Sequence, residues 1–424
     1  MREIQLPMVK AMDDQDTLAG FRDRFVNEEN LIYMDGNSLG KLPKEAIEIS
    51  KRVVEHQWGS RLIRSWNEHW IDLPQRLAAK IAKIVGAHAD EIFIGDSTSL
   101  NLYKSLFAVL NYQKDKTEVV TDDLNFPTDY YVLDGIIKQH FSRHTIVQAE
   151  SKDGISTHIN ALKNAVTKNS ALITLSHVTY KSGYMYPMKE VNNLAKSMGA
   201  IVVWDLSHSV GSVPVNLNEN GADIAVGCTY KYLNGGPGAP AFLYVSRAMQ
   251  SKLNNPIWSW FGHEAPFEFA REFKPHPGIQ KFAVGTPHVL SLAVMEAGLN
   301  VHLAAGMQAI RKKSIRQSEL FIELFDLHLQ PLGYQFASPR ASNTRGSHIS
   351  LAHEEGYRIN RALIAPKNKS KEIIPDFRPP HFIRIGIAPL YNSFQDVHEV
   401  VMRLKQIVLT KEYELYSQER LTVT

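Results

Sequence analysis

The residues that most constrain this chain follow two short apolar segments near its middle. The first segment, at 201–204, ends in Asp205. The second, at 222–226, is followed by Tyr230 and Lys231 and then by a glycine-rich turn. In an open α/β sheet the carboxyl ends of the strands form the edge where ligands bind. The pattern therefore predicts an acidic and a basic side chain close together at such an edge.

Pyridoxal phosphate requires this pair of side chains. Its aldehyde forms a Schiff base with a lysine, and its ring nitrogen keeps a proton beside a carboxylate. Each part also has a simpler reading, because an aspartate after a strand can cap a helix and a glycine turn can be only a turn. The conjunction of both strand ends with the turn at 234–238 favours the cofactor, with Lys231 and Asp205 as its partners.

Composition narrows the class of protein. The 424 residues are 44% apolar and 21% charged, as in ordinary soluble domains. With 47 basic and 44 acidic residues, the net charge of +3 gives no support for a nucleic-acid or membrane partner. The single cysteine, Cys228, and the lack of an apolar leader predict a cytoplasmic location. The 17 histidines show no metal-ligand spacing, so we predict no metal site.

Strand and helix patterns alternate through the first two thirds of the chain. The predicted strands, each followed by a helix or a loop, are at 92–94, 119–121, 144–150, 171–178, 201–204, 222–226 and 239–245. This alternation predicts an α/β fold with a mostly parallel, seven-stranded sheet flanked by helices. A long helical stretch after Pro287 and separated strands beyond it predict a smaller α+β domain.

The pattern predicts three parts of the chain. Residues 1–45 form an N-terminal segment that packs with the small domain, residues 46–290 form the large cofactor-binding domain, and residues 291–424 form the small domain.

Two further segments carry polar groups suited to a ligand. Thr98 and Ser99 open a predicted helix, where hydroxyls and free N–H groups hold a phosphate well but also serve as ordinary caps. In the turn at 33–43, two glycines flank Asn37 and Ser38. Glycines allow a backbone to approach a ligand closely, although the segment also reads as a plain loop before a helix.

Eight segments together resemble the kynureninases, a pyridoxal phosphate-dependent family of the aspartate aminotransferase-like fold type I. In chain order between positions 33 and 394 they are YMDGNSLG, RSW, DSTSLN, NFPTD, WDLSHSVG, GCTYKYLNGGPGAP, WFGH and IRIGIAPLYNSF. The resemblance implies a hydrolase that cleaves L-kynurenine into anthranilate and L-alanine, with 3-hydroxykynurenine as a poorer substrate. It places the protein in tryptophan degradation by the kynurenine pathway, which serves NAD biosynthesis, as a homodimer with shared active sites.

The resemblance also implies roles for individual side chains. Lys231 would form the Schiff base, Asp205 would face the ring nitrogen, and Tyr230 would bind the phosphate or transfer a proton. The other cofactor contacts would come from Thr98, Ser99, Phe126, Pro127, Thr128, Asp129 and His208, and from Trp260 and Thr286 of a second subunit. The substrate contacts would come from Arg384 at the α-carboxylate, Trp66 at the aryl end, and Asn37.

Three other functions share parts of the pattern. Cysteine desulfurases share the fold and the lysine, but they need a thiol on a mobile loop, whereas Cys228 belongs to the strand segment that leads to Lys231. An aminotransferase would need a 2-oxo acid for turnover, which no residue pattern reveals. A non-enzymatic regulator would carry an added DNA-binding domain and a basic face, for which the sequence gives no sign.

Overall fold

A computed structural model describes residues 6–420. Residues 1–5 and 421–424 of the predicted first and last parts lie outside the described residues. The strands are β1 (Leu31–Tyr33), β2 (Ile92–Ile94), β3 (Glu118–Asp122), β4 (Thr145–Ala149), β5 (Ser170–Ser176), β6 (Ile201–Asp205), β7 (Ile224–Gly227), β8 (Phe242–Val245), β9 (Gln335–Phe336), β10 (His348–Ala352), β11 (Glu372–Ile374), β12 (Asp376–Arg378) and β13 (Phe382–Gly386).

Helices occur between most of these strands. They are α1 (Leu6–Asp14), α2 (Lys44–Arg52), α3 (Leu73–Val85), α4 (Thr98–Tyr112), α5 (Pro127–His140), α6 (Ile159–Ala165), α7 (Met188–Met198), α8 (Arg247–Gln250), α9 (Val289–Ala305), α10 (Met307–His328), α11 (Gly356–Ile364) and α12 (Phe394–Leu409).

The large sheet confirms the predicted fold class. Its seven strands lie in the order β2-β8-β7-β6-β5-β3-β4, and β8 is the strand that runs antiparallel to its neighbours. The other adjacent pairs are parallel, including β6 with β7, where Asp205 lies opposite Val226. Strands β5 and β6 are buried along their whole length. Buried parallel strands read as continuous apolar runs, which is the pattern that the sequence shows.

Helices cover both faces of this sheet, so each strand contributes to two cores. Val202 and Trp204 of β6 pack in the core that contains residues of α3, α7 and α9. Ile201 and Val203, which point the other way, pack in the core formed with α4 and α5. Successive side chains of a strand face opposite sides, and the two apolar layers fix β6 in its central position.

The C-terminal part contains a second, antiparallel sheet. Its order is β12-β13-β10-β9, with Asp376 opposite Arg384. Its apolar core includes residues from α10, α11 and α12 together with Val9 and Met34 from the start of the chain. Strand β1 pairs in parallel with β11, and Gly386 N donates to Met34 O at 2.6 Å. The predicted division of the chain at residues 45 and 290 stays a prediction.

The helical stretch after Pro287 divides into two helices. Gly306, with φ of +78°, separates α9 from α10, and the two axes differ by 81°. Buried residues of α9 such as Leu292 and Leu299 belong to the core of the large sheet. Within residues 6–420, no single helix is long and apolar enough to cross a bilayer; only this bent pair meets that length and hydropathy when taken together.

Candidate active site

Lys231 lies in a tightly bonded loop after β7. The backbone N–H of Asn234 donates to the backbone carbonyl of Lys231 at 2.9 Å, and Thr229 Oγ1 donates to Pro240 O at 2.7 Å. The Nζ atom of Lys231 lies 3.2 Å from Nε2 of His208, in the segment that follows β6. The two strand ends therefore meet as predicted, because β6 and β7 are parallel neighbours.

Asp205 lies at the end of β6 with one oxygen engaged and one available. Its Oδ1 accepts hydrogen bonds from the backbone N–H of Ser207 at 2.9 Å and from the Ser207 hydroxyl at 2.6 Å. Its Oδ2 accepts no hydrogen bond from any residue in the described range. Burial raises the pKa of Asp205, while the bonds from Ser207 and the charge of Lys231 oppose that rise. The carboxylate is thus held in place with an acceptor left for a ligand.

The protein environment favours the uncharged forms of Lys231 and His208. Burial lowers the pKa of Lys231, partly opposed by Cys228 and Asp205 and reinforced by the charges of Arg384 and Arg378. Burial and the charge of Lys231 hold the pKa of His208 well below its usual value. A desolvated amine beside a neutral imidazole is suited to nucleophilic and proton-transfer chemistry.

Two predicted cofactor residues carry buried polar atoms without a protein partner. They are Asp129 Oδ2 and Thr98 Oγ1, each without a hydrogen bond among residues 6–420. Burial, followed by the charge of Asp205, raises the pKa of Asp129 well above its usual value. Buried polar groups are normally paired, so these two atoms indicate that the site is built for a polar ligand.

Phe126 connects these groups to the rest of the site. Its ring centroid lies 5.8 Å from the Nζ of Lys231 and 5.2 Å from the ring of Tyr180, edge to face. It is the N-cap of α5, which begins at Pro127 and continues through Thr128 to Asp129. Ser99 follows Thr98 in the first turn of α4, where Ser97 is the N-cap and accepts from Leu100 N at 3.3 Å.

The turn at 33–43 contacts the lysine loop. Gly40 N donates to the carbonyl oxygen of Tyr230 at 2.8 Å. A Cβ at Gly40 would stand 2.4 Å from Lys231 O, and one at Gly36 would stand 2.3 Å from the hydroxyl of Tyr391. These glycines therefore allow a close approach to other parts of the protein, whereas the sequence suggested a close approach to a ligand.

Arg384 and Asn37 lie together, as their shared predicted role requires. With its amide oxygen facing the guanidinium, Asn37 accepts from Arg384 Nε at 2.7 Å and from Nη2 at 2.9 Å. Arg384 also forms a two-pronged ion pair with Asp376, in which Nε donates to Oδ1 at 2.9 Å and Nη2 donates to Oδ2. The sequence did not predict this internal carboxylate.

His348 is a further member of the site that the sequence did not single out. His348 is fully buried on β10, with its ring 5.6 Å from that of His208. Burial and the charge of Arg384 lower the pKa of His348 to about 3. The alternation of His348 with Ser350 on one strand face is a signal that could have identified it.

Trp66, Trp260 and Thr286 lie in an aromatic region that no described contact joins to Lys231. Trp66 packs against Trp70 and Phe261, with ring centroids 5.7 and 6.3 Å away. Trp260 packs against Phe261 at 4.4 Å. Thr286 lines a cavity of about 280 Å³ whose walls also include Phe261, Gly285, Gly95 and Asp96. In the single chain this cavity adjoins the loop that precedes Thr98.

Comparison with known proteins identifies the family. The chain is 39% identical over 408 residues to the kynureninase of Pseudomonas fluorescens, with 95% of each sequence covered. The chain belongs to the kynureninase family. It has the same identity and coverage to the kynureninases of Burkholderia mallei (strain SAVP1) and Burkholderia pseudomallei (strain K96243). Residues 310–404 match the family model described as the kynureninase C-terminal domain. The resemblance predicted from the eight segments is confirmed.

Solved structures confirm the fold. A cysteine desulfurase from Thermococcus onnurineus NA1 superimposes with a TM-score of 0.76 at 17% identity, over 97% of this chain and 100% of that one. A C-DES mutant with glycine linked covalently to its pyridoxal phosphate cofactor gives a TM-score of 0.78 at 18% identity, over 91% and 98%. At these identities the likeness shows that the kynureninase family member shares their fold.

Proposed function

We propose that this kynureninase family member is a pyridoxal phosphate-dependent hydrolase that cleaves the Cβ–Cγ bond of L-kynurenine with water. The products are anthranilate and L-alanine. The observation that carries the proposal is the pair at the ends of β6 and β7, Asp205 and Lys231, in a chain with near full-length similarity to kynureninases.

The residues around Lys231 fit the cofactor. The hydroxyl of Thr98 and the first N–H groups of α4 suit its phosphate, with Ser99 and Tyr230 beside them. The available oxygen of Asp205 suits a protonated ring nitrogen, and Phe126 offers an aromatic face. When bound, the cofactor stores the electron pair that is released at the substrate α-carbon. Binding of the cofactor would also give a polar neighbour to Asp129 Oδ2, which has no hydrogen-bond partner among residues 6–420.

Protein side chains supply the proton transfers. The pKa of Lys231 is lowered, so its amine, when free, would be able to take the substrate α-proton. The neighbouring Cys228, burial and the charge of Asp205 all raise the pKa of Tyr230. Tyr230 therefore keeps its proton at working pH and acts as a hydrogen-bond donor, to the phosphate or to the reacting substrate.

A homodimer with shared active sites is part of the proposal. Trp258 and Phe269 are 69% and 76% exposed in the single chain, beside Trp260 and Phe267. Monomers rarely expose so large an apolar patch, so a second copy covering it would be stabilised. A cytoplasmic location fits a chain whose one thiol, Cys228, is buried and unpaired.

Turnover tests the proposed reaction. Purified protein loaded with cofactor should release anthranilate and L-alanine in equal amounts from L-kynurenine, without added 2-oxo acid. Borohydride reduction should fix the cofactor on Lys231, located by peptide mapping, and Lys231→Ala should be inactive while Lys138→Ala, a change at a surface ion pair, keeps full activity. A strict requirement for a 2-oxo acid would instead show an aminotransferase.

Desulfurase activity has no support in the site, although desulfurases share the fold. Cys228 is 1% exposed, its Sγ lies 3.8 Å from Ser207 O, and burial raises the pKa of its thiol. A thiol that is buried in this way is a poor nucleophile. Release of sulfide or persulfide from L-cysteine at a rate near that of anthranilate release would contradict this assignment.

A further inference from the structure

A lysine that the proposed reaction does not use is buried in the second turn of α4. This residue, Lys104, lies between Leu102 and Leu106, which are both fully buried, and its own side chain is 0% exposed. A lysine is almost never buried so completely unless its ammonium is paired, because removing the charge from water is costly. The contacts of this ammonium therefore show what the residue does.

Three groups surround the Lys104 ammonium. Its Nζ donates to Asp96 Oδ2 at 2.7 Å and to the backbone carbonyl of Phe282 at 2.7 Å, and it lies 4.5 Å from the centroid of the Phe93 ring. Phe93 and Phe282 belong to the core that α4 and α5 form with the large sheet. Burial lowers the pKa of Lys104 to about 8 against the opposing effect of Asp96, so the amine is mostly protonated at neutral pH. Two contacts thus fix the ammonium to the core, and the third reaches the loop before α4.

Asp96, the residue that Lys104 holds in this loop, has an unusual backbone conformation. Its φ is +57°, in the left-handed region that residues other than glycine seldom adopt. Such a conformation persists where the surrounding structure holds it. Gly95 N donates to Ala241 O at 3.0 Å and Ala241 N donates to Asp96 O at 2.9 Å, so backbone bonds hold the loop on one side. The ion pair with Lys104 holds it on the other, where the chain turns from β2 into α4.

The same loop leads to the groups that suit the cofactor phosphate. Thr98 follows Asp96 by two residues, and its buried Oγ1 has no hydrogen-bond partner among residues 6–420. The side-chain amide of Asn101 donates to Gly95 O at 3.0 Å, so the loop is tied to α4 at Asn101 and at Lys104. Hydrogen bonds to a phosphate are short and directional. A shift of this loop would therefore weaken them.

We propose that Lys104 is a positioning residue for the phosphate of the bound cofactor. Through Asp96 it anchors the loop before α4 to the core and keeps Thr98 in the position that suits the phosphate. The inference rests on the proposed function and adds to it a residue that touches neither cofactor nor substrate. The aldehyde and the ring nitrogen have their own partners, Lys231 and Asp205, so loss of Lys104 should weaken the phosphate contacts alone.

Two ligands that differ in the phosphate group test this role. Pyridoxal phosphate and pyridoxal are titrated by calorimetry into the full chain after removal of its cofactor. Lys104→Met should weaken binding of pyridoxal phosphate roughly ten- to a hundredfold, as for lost hydrogen bonds to a charged group, and leave pyridoxal binding unchanged. Asp96→Gly should do the same, because glycine adopts a positive φ readily but offers Lys104 no acceptor. Asp96→Asn should keep most of the preference for the phosphate, since its amide oxygen still accepts and asparagine tolerates a positive φ.

Lys313→Met is the matched control, because Lys313 of α10 forms a similarly buried ion pair with Asp16, at 2.6 Å. It should lower stability and leave both dissociation constants unchanged. Equal weakening of the two ligands in Lys104→Met and Asp96→Gly would show a general disturbance, and unchanged binding of pyridoxal phosphate would show that the loop needs no anchor. Either result overturns the inference.

Two further outcomes have a defined meaning. If Lys104→Met does not fold, Asp96→Gly decides the inference by the same comparison of ligands. If wild type prefers pyridoxal phosphate to pyridoxal and Lys104→Met loses that preference, the inference holds even when wild type releases no anthranilate from L-kynurenine. That last result would contradict the proposed reaction alone.

Discussion

Gly298 of α9 lies directly against the carbonyl group of Leu233 in the loop that follows Lys231. A Cβ at Gly298 would stand 2.1 Å from Leu233 O and 2.8 Å from Asn234 O. The helix therefore supports the lysine loop by backbone contact, and only glycine permits that separation.

We expect Gly298→Ala to destabilise the protein by about 1–3 kcal/mol, since overpacking forces backbone shifts. Gly135→Ala in α5 is the control, because the nearest atom to its Cβ would be 3.9 Å away. That change should be neutral or stabilising by up to about 1 kcal/mol, as helix propensity dictates. Urea unfolding measures both variants, and equal midpoints for the two would contradict the close contact.

Asp205→Asn should affect the rate far more than cofactor retention. The amide keeps the size of the side chain but loses the charge that holds a proton on the ring nitrogen, so kcat should fall by several powers of ten. Ser207→Ala removes the hydroxyl bond to Oδ1 and the longer bond that the hydroxyl accepts from Cys228 N at 3.3 Å, and it should cost about tenfold or less. Cofactor content and kcat with L-kynurenine are measured on both. Near-normal turnover of Asp205→Asn would refute the electron-storage role of the bound ring.

Hybrid dimers test the proposed sharing of active sites. Lys231→Ala and Trp260→Ala should each have little activity alone. If Trp260 acts on the neighbouring subunit's site, mixed dimers should recover part of the activity, because one of their two sites would be intact. Exchange of subunits is checked by native mass spectrometry with a size-tagged chain. Complete exchange without recovery would show that each site is built from one chain.

Asp35 should make the unfolding free energy depend on pH. Its folded pKa is about 7, above the ordinary 3.8, because of burial and then the charge of Asp376. Between those values the folded state holds a proton that the unfolded state has lost, so stability falls as pH rises through this window. Asp35→Asn has no such loss, and its advantage over wild type should grow from pH 4 to pH 7 and then level off.

Denaturation midpoints of cofactor-free wild type and Asp35→Asn at several pH values measure this difference. Asp134→Asn, at an exposed pair with Lys138, controls for a general effect of removing one acid and should show a small, nearly constant difference. An Asp35→Asn advantage that is the same at pH 4 and pH 8 would show that Asp35 is ionised in the folded protein.

L-Kynurenine should be preferred over its 3-hydroxy form. By the resemblance to kynureninases, Trp66, Gly285 and Thr286 would line the aryl pocket, and they offer at most one hydroxyl as a partner for the extra group. A buried unpaired hydroxyl costs about 1–3 kcal/mol, which is roughly ten- to a hundredfold in kcat/KM. Parallel kinetics with both substrates decide the matter. Equal values would mean that other residues line the pocket.

The parts of the fold that could be predicted from sequence are those with local causes. The strands of the large sheet are short apolar runs between turns, and α3 ends at Gly86 because that residue adopts φ of +67°. The bend between α9 and α10 was missed, because a glycine inside an apolar helical pattern does not by itself show that the helix ends. Gly306 adopts φ of +78° there, and the two helices pack in different cores. The π-helical turns of Val53–Arg61 likewise have no local signal.

The residues of the site likewise divide into those that local sequence patterns predicted and those that depend on contacts between distant parts of the chain. Asp205 and Lys231 follow strands, so their order along the chain predicted them, whereas Asp129 in the first turn of α5 came from the family resemblance. Asp376 and Arg378 lie on β12, and the register of β12 with β13 decides which residues they face. His348 reaches His208 from a different sheet. Alternation can place His348 on one face of β10, but a single sequence does not show which part of the chain that face contacts, so these contacts became apparent only from the three-dimensional arrangement.

Cys228 gives the protein an internal reporter of its own motion. It is the only thiol in the chain, and it lies buried three residues before Lys231. A thiol reagent in solution can reach it only when the end of β7 separates from the segment around Ser207. The rate of labelling therefore measures how often the lysine loop opens. Slower labelling in the presence of a ligand would show that the ligand keeps this loop closed, and no substrate needs to be consumed in the measurement.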